Sequence, residues 1–312
     1  MTHSRLARLA VLLGAVLLTG CSRYDLYEWL IAEEREKAGL ELAEATLGEL
    51  SVTYLSRGSP SDARALVMVH GFAANKDNWV RMAAHLPEDY YLVIPDLPGH
   101  GDSSTAGPEA YTVESQAATL VQLMDELGLD RVDMAGNSMG GGITAYFASR
   151  YPDRVDTIAL FDPAGSTRYP SELDEALAEG HNPLVVREPG DFDKLMDFVM
   201  EQPPFAPWPV TAVMEEQAMA RQSINDQIFE AILSSGEQLD LSGILPAIKA
   251  PTLIVWGKQD RVLAPENAEV FAAGIEDSLV VLLDGVGHVP MLEVPEQSAQ
   301  LWHQFLQRHP EK

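Results

Sequence analysis

The residues with the clearest chemical potential are Gly136-Asn137-Ser138-Met139-Gly140. A strand-like apolar run from Val132 to Ala135 precedes them, and a helix-like run from Gly141 to Arg150 follows. A serine on a tight strand-to-helix turn exposes its hydroxyl above the sheet, and glycines two positions before and after it leave room for the crowded backbone. The pattern predicts that Ser138 attacks a carbonyl carbon.

A serine hydroxyl needs a base to take its proton, and the base needs an acid to orient it. Sites built on this turn use the chain order serine, acid, histidine. His288 follows Ser138 and lies in a glycine-rich loop directly after the strand-like run Leu279–Leu283, so we expect it to be the base. The other seven histidines are set aside for three reasons. Four precede Ser138 (His3, His70, His85 and His100), His181 has no strand before it, and His303 and His309 fall on or just past a C-terminal helix pattern as surface histidines.

Two aspartates could serve as the acid. Asp260 follows the strand-like run Thr252–Trp256, and Asp162 follows the run Thr157–Phe161. We favour Asp260, because its segment is a strand-end loop that leads into the next helix. Asp162 precedes a proline and has an alternative interpretation as a turn aspartate that accepts from nearby N–H groups.

An oxyanion hole should have two backbone N–H donors. Met139, the residue after the nucleophile, should supply one donor. Phe72 should supply the other, because His70-Gly71-Phe72 follows a strand-like run that ends at Val69. This mechanism requires no metal and no organic cofactor.

The same segments resemble the α/β-hydrolase superfamily. The resemblance covers about Leu50 to His309, and it is carried by the His70 and Ser138 segments, by Asp96-Leu97-Pro98-Gly99-His100-Gly101-Asp102-Ser103-Ser104, and by the Asp260 and His288 segments. Four further segments are similar to bacterial lipases of the Moraxella type and to monoacylglycerol lipases: Lys76-Asp77-Asn78-Trp79, Asp162-Pro163-Ala164-Gly165, Asn182-Pro183-Leu184 and Asp197-Phe198-Val199-Met200. The resemblance implies a serine lipase or esterase.

Strand-like and helix-like runs alternate along most of the chain, which predicts an α/β fold with a mostly parallel central sheet flanked by helices. A helix-rich interval, 167–248, interrupts this rhythm after the sixth strand, and we predict that it forms a helical cap over Ser138. The predicted organisation is a signal peptide (1–20), a tether helix (21–37), the first part of the hydrolase core (38–166), the cap (167–248) and the second part of the core (249–312).

The cap segment, 167–248, is rich in large apolar side chains. Some should form its own core, and the others could line a pocket for an acyl chain. The predicted substrate-binding residues are Phe192, Leu195, Phe198, Val199, Phe205 and Trp208.

The N-terminal segment predicts export and a lipid anchor. Arg5 and Arg8 precede the apolar run Leu9–Leu18, which is too short to span a bilayer. Leu18-Thr19-Gly20-Cys21 resembles the lipobox of bacterial lipoproteins, with the only cysteine at the lipidated position. Ser22 stands where an aspartate would retain a lipoprotein at the inner membrane, so the expected location is the bacterial outer membrane.

The chain has 47 acidic and 21 basic residues, for a net charge of −26. Such a surface repels nucleic acid and anionic lipid head groups, so we expect neither as a partner. The resemblance to lipases implies a small-molecule acyl ester or lipid as substrate, and we expect a monomer. Two other functions fit parts of the sequence. A carbon–carbon bond hydrolase would use the same three residues on a diketone, although the cap segment has no cluster of arginines to bind a charged substrate. A non-catalytic binding lipoprotein would need none of the three.

Overall fold

A computed structural model describes residues 22–60, 63–206, 208–234 and 240–310. The predicted signal peptide and Cys21 lie outside the described residues. No helix within the described part of the chain is both long enough and apolar enough to cross a bilayer.

Eight strands form one sheet, in the order β1-β2-β4-β3-β5-β6-β7-β8. β1 and β2 form an antiparallel hairpin, and β2 pairs antiparallel with β4, while all pairs from β3 to β8 are parallel. The strands are β1 Glu41–Leu47, β2 Leu50–Arg57, β3 Arg64–Val69, β4 Tyr90–Pro95, β5 Val132–Asn137, β6 Val155–Phe161, β7 Thr252–Gly257 and β8 Ser278–Leu283. The predicted α/β-hydrolase fold with a mostly parallel sheet is confirmed.

Helices cover both faces of the sheet. They are α1 Arg23–Lys37, α2 Val80–Ala83, α3 Val113–Glu126, α4 Met139–Arg150, α5 Glu172–Ala178, α6 Asp191–Val199, α7 Val210–Ala220, α8 Gln222–Ser234, α9 Ala268–Gly274, α10 Pro290–Glu293 and α11 Pro295–Arg308. Helices α5 to α8 all fall between β6 and β7, as expected for a helical segment inserted after the sixth strand.

Two apolar layers hold the helices to the sheet. Successive strand residues point to opposite faces, so Val67 and Val69 join the layer with α3 and α4, while Leu66 and Met68 join the layer with α11. The central strands are buried along their whole length and are apolar nearly throughout, as parallel strands covered on both faces must be.

Helix α1 packs on the domain rather than standing apart from it. Ser22 and Asp25 form a reciprocal capping box that starts the helix. Arg35 makes a bidentate ion pair with Asp77 of the core, at 2.6 and 2.7 Å, and Arg23 pairs with Glu216 of α7 at 2.5 Å. The helix therefore contacts both the core and the cap segment.

Candidate active site

Ser138 stands between β5 and α4 with φ 55° and ψ −122°, a conformation that few non-glycine residues adopt. Its N–H donates to the carbonyl of Phe161 at 3.0 Å, and its carbonyl accepts from Gly142 and Ala164. A Cβ on Gly136 would collide with the carbonyl of Gly140. The two glycines therefore allow the turn that strains the serine backbone and exposes its side chain.

His288 and Asp260 form a buried hydrogen-bonded pair. Nδ1 of His288 lies 2.8 Å from Oδ2 of Asp260. The Asp260 carboxylate also accepts from the Trp256 indole at 3.0 Å and from the backbone N–H groups of Val262 and Leu263 at 2.8 and 3.0 Å. Four donors thus face one carboxylate, and its bond to Nδ1 fixes the orientation of the imidazole.

Asn137 was not singled out from the sequence, although it joins two parts of the site. Its buried side-chain amide donates to the backbone carbonyl of His288 at 3.0 Å and to that of Phe161 at 3.1 Å. A polar residue at the last position of a buried strand, directly before the serine, is the signal that could have found it.

Asp162, the second candidate acid, is buried next to the His288–Asp260 pair. Its Oδ1 accepts from Gly257 N at 2.8 Å, and no donor reaches its Oδ2 among the described residues. Burial and the neighbouring charge of Asp260 raise the pKa of Asp162 well above its usual range. A protonated Asp162 has a proton to donate to Asp260, which explains how two carboxyl groups share one buried site.

Ligand atoms of Asp162, Asp260 and His288 lie within 4.8 Å of one another, a spacing that metal sites also use. Most of these ligand atoms, however, already take part in hydrogen bonds. Both oxygens of Asp260 already accept from N–H groups, and Nδ1 of His288 bonds to one of them. This donor set suits a carboxylate–histidine pair that moves a proton.

The loop after β3 lies beside the serine. The backbone N–H groups of Phe72 and Met139 have no hydrogen-bond partner within the described chain. A Cβ on Gly71 would lie 3.2 Å from the Cβ of Ser138, a tight contact, so the glycine helps this loop to approach the nucleophile closely. His70 is fully buried and acts as a structural link, because Nδ1 bonds to the carbonyl of Gly71 and Nε2 accepts from Leu97 N.

An ion cluster around the buried side chains of Lys76 and Asp96 supports the same loop. Nζ of Lys76, a side chain only 1% exposed, lies 2.7 Å from Asp96 and 2.6 Å from Asp102. The carboxylate of Asp96 also accepts from the backbone N–H groups of Lys76 and Asp102. Burial alone would lower the pKa of Lys76, but the adjacent carboxylates raise it above its usual value, so the ammonium stays charged.

One cavity of about 230 Å³ joins these parts. Ser138, His288, Gly71 and Phe72 line it, together with many side chains of the cap segment. The predicted residues Phe192, Leu195 and Val199 line this cavity on α6, together with Met196. The sequence did not identify Tyr27 of α1, Leu184, Val186, Met214, Arg221, Asn225 and Leu292 as cavity residues.

Three of the predicted acyl-pocket residues lie elsewhere. Phe205 and Trp208 are 85% and 72% exposed and do not line the cavity. They fall in the irregular stretch between α6 and α7, where no helix turns an apolar face inward. Phe198 does not line the cavity either, and packs against the apolar layer that includes α11.

The cap segment is attached to the loops that carry the site. His288 N donates to the carbonyl of Val199 at 2.8 Å, and the Glu293 carboxylate accepts from Gly287 N and from two cap N–H groups. The Arg221 guanidinium donates to the carbonyls of Gly99 and Gly101, in the loop after β4. The cap segment is therefore hydrogen-bonded to two different loops, those after β8 and β4.

Residues 64–186 match the family model described as alpha/beta hydrolase fold. Lipase 3 of Moraxella sp. is 36% identical over 279 residues, which cover 88% of each chain. A monoacylglycerol lipase of Xenopus laevis is 28% identical over 314 residues, covering 96% of this chain and 91% of the relative. The chain belongs to the alpha/beta hydrolase fold family.

Comparison with solved structures supports the same family. The crystal structure of a membrane phospholipase A, described as a bacterial virulence factor, superposes on this hydrolase with a TM-score of 0.89, 40% identity and 99% coverage of both chains. The resemblance to Moraxella-type and monoacylglycerol lipases is confirmed. The hydrolase is of the lipase and esterase type, a carboxylic ester hydrolase.

Proposed function

We propose that the hydrolase cleaves fatty-acyl esters through an acyl-enzyme on Ser138. His288 moves the proton, Asp260 orients His288, and the N–H groups of Phe72 and Met139 stabilise the oxyanion. The observation that carries the proposal is the buried 2.8 Å hydrogen bond between His288 and Asp260, in the wall of a cavity that also contains Ser138.

The reaction proceeds in two halves. Oγ of Ser138 attacks the ester carbonyl as His288 takes the hydroxyl proton, and the negative oxygen accepts from the two free N–H groups. The C–O bond then breaks, His288 returns its proton to the departing alcohol, and the acyl group stays on Ser138. Water, deprotonated by His288, then attacks the carbonyl carbon of this acyl ester. The bond to Oγ of Ser138 breaks, His288 returns the proton to Oγ, and the fatty acid is released.

The size and lining of the cavity favour a substrate with one acyl chain. A volume of about 230 Å³ lies below the roughly 300–1,000 Å³ common for ligand pockets, so three chains do not fit together. Helix α6 lines it with Phe192, Leu195, Met196 and Val199, which suit an alkyl chain. We therefore propose monoacylglycerols or medium-chain esters as substrates, ahead of emulsified triacylglycerols.

The alternative function, carbon–carbon bond hydrolysis, has less support. Its substrate would carry a carboxylate, whereas Arg221 is the one arginine among the described residues of the cavity wall. Its guanidinium already donates to two backbone carbonyls.

The test combines labelling with a substrate series. Ser138→Ala should abolish labelling by a fluorophosphonate probe and lower ester turnover by ~10³-fold or more, with the fold intact. In the wild type, kcat/KM over acyl lengths from two to sixteen carbons should rise to medium chains and then level, because each buried CH₂ contributes about 0.8 kcal/mol. Labelling that persists in Ser138→Ala, a maximum at acetate, or triolein turnover above monoolein turnover would contradict the proposal.

We also propose that Cys21 carries the lipid anchor and that the hydrolase works at a bacterial membrane, in the outer membrane. Helix α1 begins at Arg23, packs on core and cap, and lines the cavity with Tyr27. An anchor at Cys21 would therefore hold the cavity close to the lipid surface, with almost no linker. Cys21→Ser should abolish partition into detergent, and an unacylated wild-type protein would contradict the anchor.

A further inference from the structure

A stripe of three polar side chains runs from the surface into the cavity. Gln217, Arg221 and Asn225 are spaced four residues apart across the α7–α8 junction, which places them along one side of consecutive helical turns. All three line the cavity, and burial increases along the stripe from exposed Gln217 to Asn225, which is 4% exposed.

Asn225 ends the stripe with an unused hydrogen-bonding group. Its Oδ1 has no hydrogen-bond partner among the described residues, whereas its backbone N–H donates to the carbonyl of Arg221 at 2.9 Å. The Arg221 guanidinium is already engaged by Gly99 and Gly101. Buried amide groups in proteins normally have hydrogen-bond partners. An amide oxygen without one, on a residue in a cavity wall, therefore marks a place where a ligand can form a hydrogen bond.

The other cavity helix has the opposite chemistry. The four α6 side chains in the cavity wall, Phe192, Leu195, Met196 and Val199, are all apolar. An ester bound at Ser138 directs its acyl chain and its alcohol portion away from the carbonyl in different directions. If the acyl chain lies along α6, the polar stripe remains for the alcohol portion.

We propose that Asn225 is a specificity residue that hydrogen-bonds a free hydroxyl on the alcohol portion of the substrate, and so selects glyceryl esters over esters of simple alcohols. This inference rests on the proposed ester hydrolysis at Ser138. The chemical class it selects is a polyhydroxy alcohol with a hydroxyl close to the ester oxygen.

The test compares two esters of one acyl chain, glyceryl monodecanoate and propyl decanoate, which differ only in the two alcohol hydroxyls. The wild type should prefer the glyceryl ester in kcat/KM. Asn225→Leu, similar in size, should lower kcat/KM for the glyceryl ester by about 5–30-fold and leave the propyl ester within about twofold. Gln227→Leu, an exposed position on the same helix, is the matched control and should leave both values unchanged.

Thermal unfolding separates binding from packing. Leucine removes an unsatisfied buried group, so the Tm of Asn225→Leu should equal or exceed the wild-type Tm. An equal loss with both esters, an unchanged ratio, or a wild type with no preference for the glyceryl ester would overturn the inference. If the wild type hydrolyses neither ester in a Ser138-dependent way, the proposed function fails instead.

Discussion

At the ends of the central strands, hydrogen bonds from backbone and side-chain groups hold the proposed acid and base in place. Asp260 has four donors, and the backbone carbonyl of His288 is bonded to Asn137 of the serine strand. The cap segment meets the same cavity mainly with apolar side chains on helices, whose positions depend on packing. In the proposed function, the reacting groups therefore lie at the rigid strand ends, while substrate choice rests on a region that can change with fewer structural consequences.

The largest expected effect is at the strand ends, between the two acids. Asp260→Asn should lower kcat by about 10²–10⁴, because His288 loses the charge that holds its tautomer. Asp162→Asn should lower kcat by less than about tenfold, because asparagine mimics the protonated acid and can still donate to Asp260. A larger loss in Asp162→Asn than in Asp260→Asn would transfer the orienting role to Asp162.

The pH dependence of unfolding checks the protonation state of Asp162. Its pKa is raised in the folded state. The contribution of Asp162 to the free energy of unfolding is therefore fully present below the ordinary carboxyl pKa, about 3.9, and is lost as pH rises through the pKa of the folded state. Asparagine does not titrate. The free energy of unfolding of Asp162→Asn, relative to wild type, should therefore increase between pH 5 and pH 8.

The fold and the strand-end residues could be predicted because glycine spacing and strand–helix alternation specify backbone. Ser138 needs its glycine neighbours, and the order of strands places Asp260 and His288 at the same edge. Asn225 could not be predicted because a single buried amide on a helix has no sequence pattern, whereas the position of Asn137, at the end of a buried strand directly before Ser138, was a usable signal. Phe205 and Trp208 were misplaced for a related reason, since hydrophobicity alone does not say which way a side chain in an irregular segment points.

A further prediction concerns the buried ion pair of Lys76 and Asp96 and its contribution to stability. Lys76→Met leaves the buried Asp96 without its ammonium partner and should lower the free energy of unfolding by about 3–5 kcal/mol. Lys258→Met, which removes an exposed pair with Asp284, is the matched control and should cost less than about 1 kcal/mol. Urea unfolding measures both. Equal losses in the two variants would mean that the buried cluster does not support the loop after β3.

The smallest effects should come from the cap segment, and they should depend on acyl length. Leu195→Ala removes apolar contact from the cavity wall and should lower kcat/KM for a ten-carbon p-nitrophenyl ester by about 3–10-fold, with the acetyl ester changed by less than about twofold. Phe205→Ala removes a larger side chain that is 85% exposed and should change neither value by more than about twofold. Because the larger truncation is expected to do less, size alone cannot produce this result. If Phe205→Ala alone weakened the ten-carbon ester, the acyl chain would leave the cavity between α6 and α7, and the surface residues there would belong to the binding site after all.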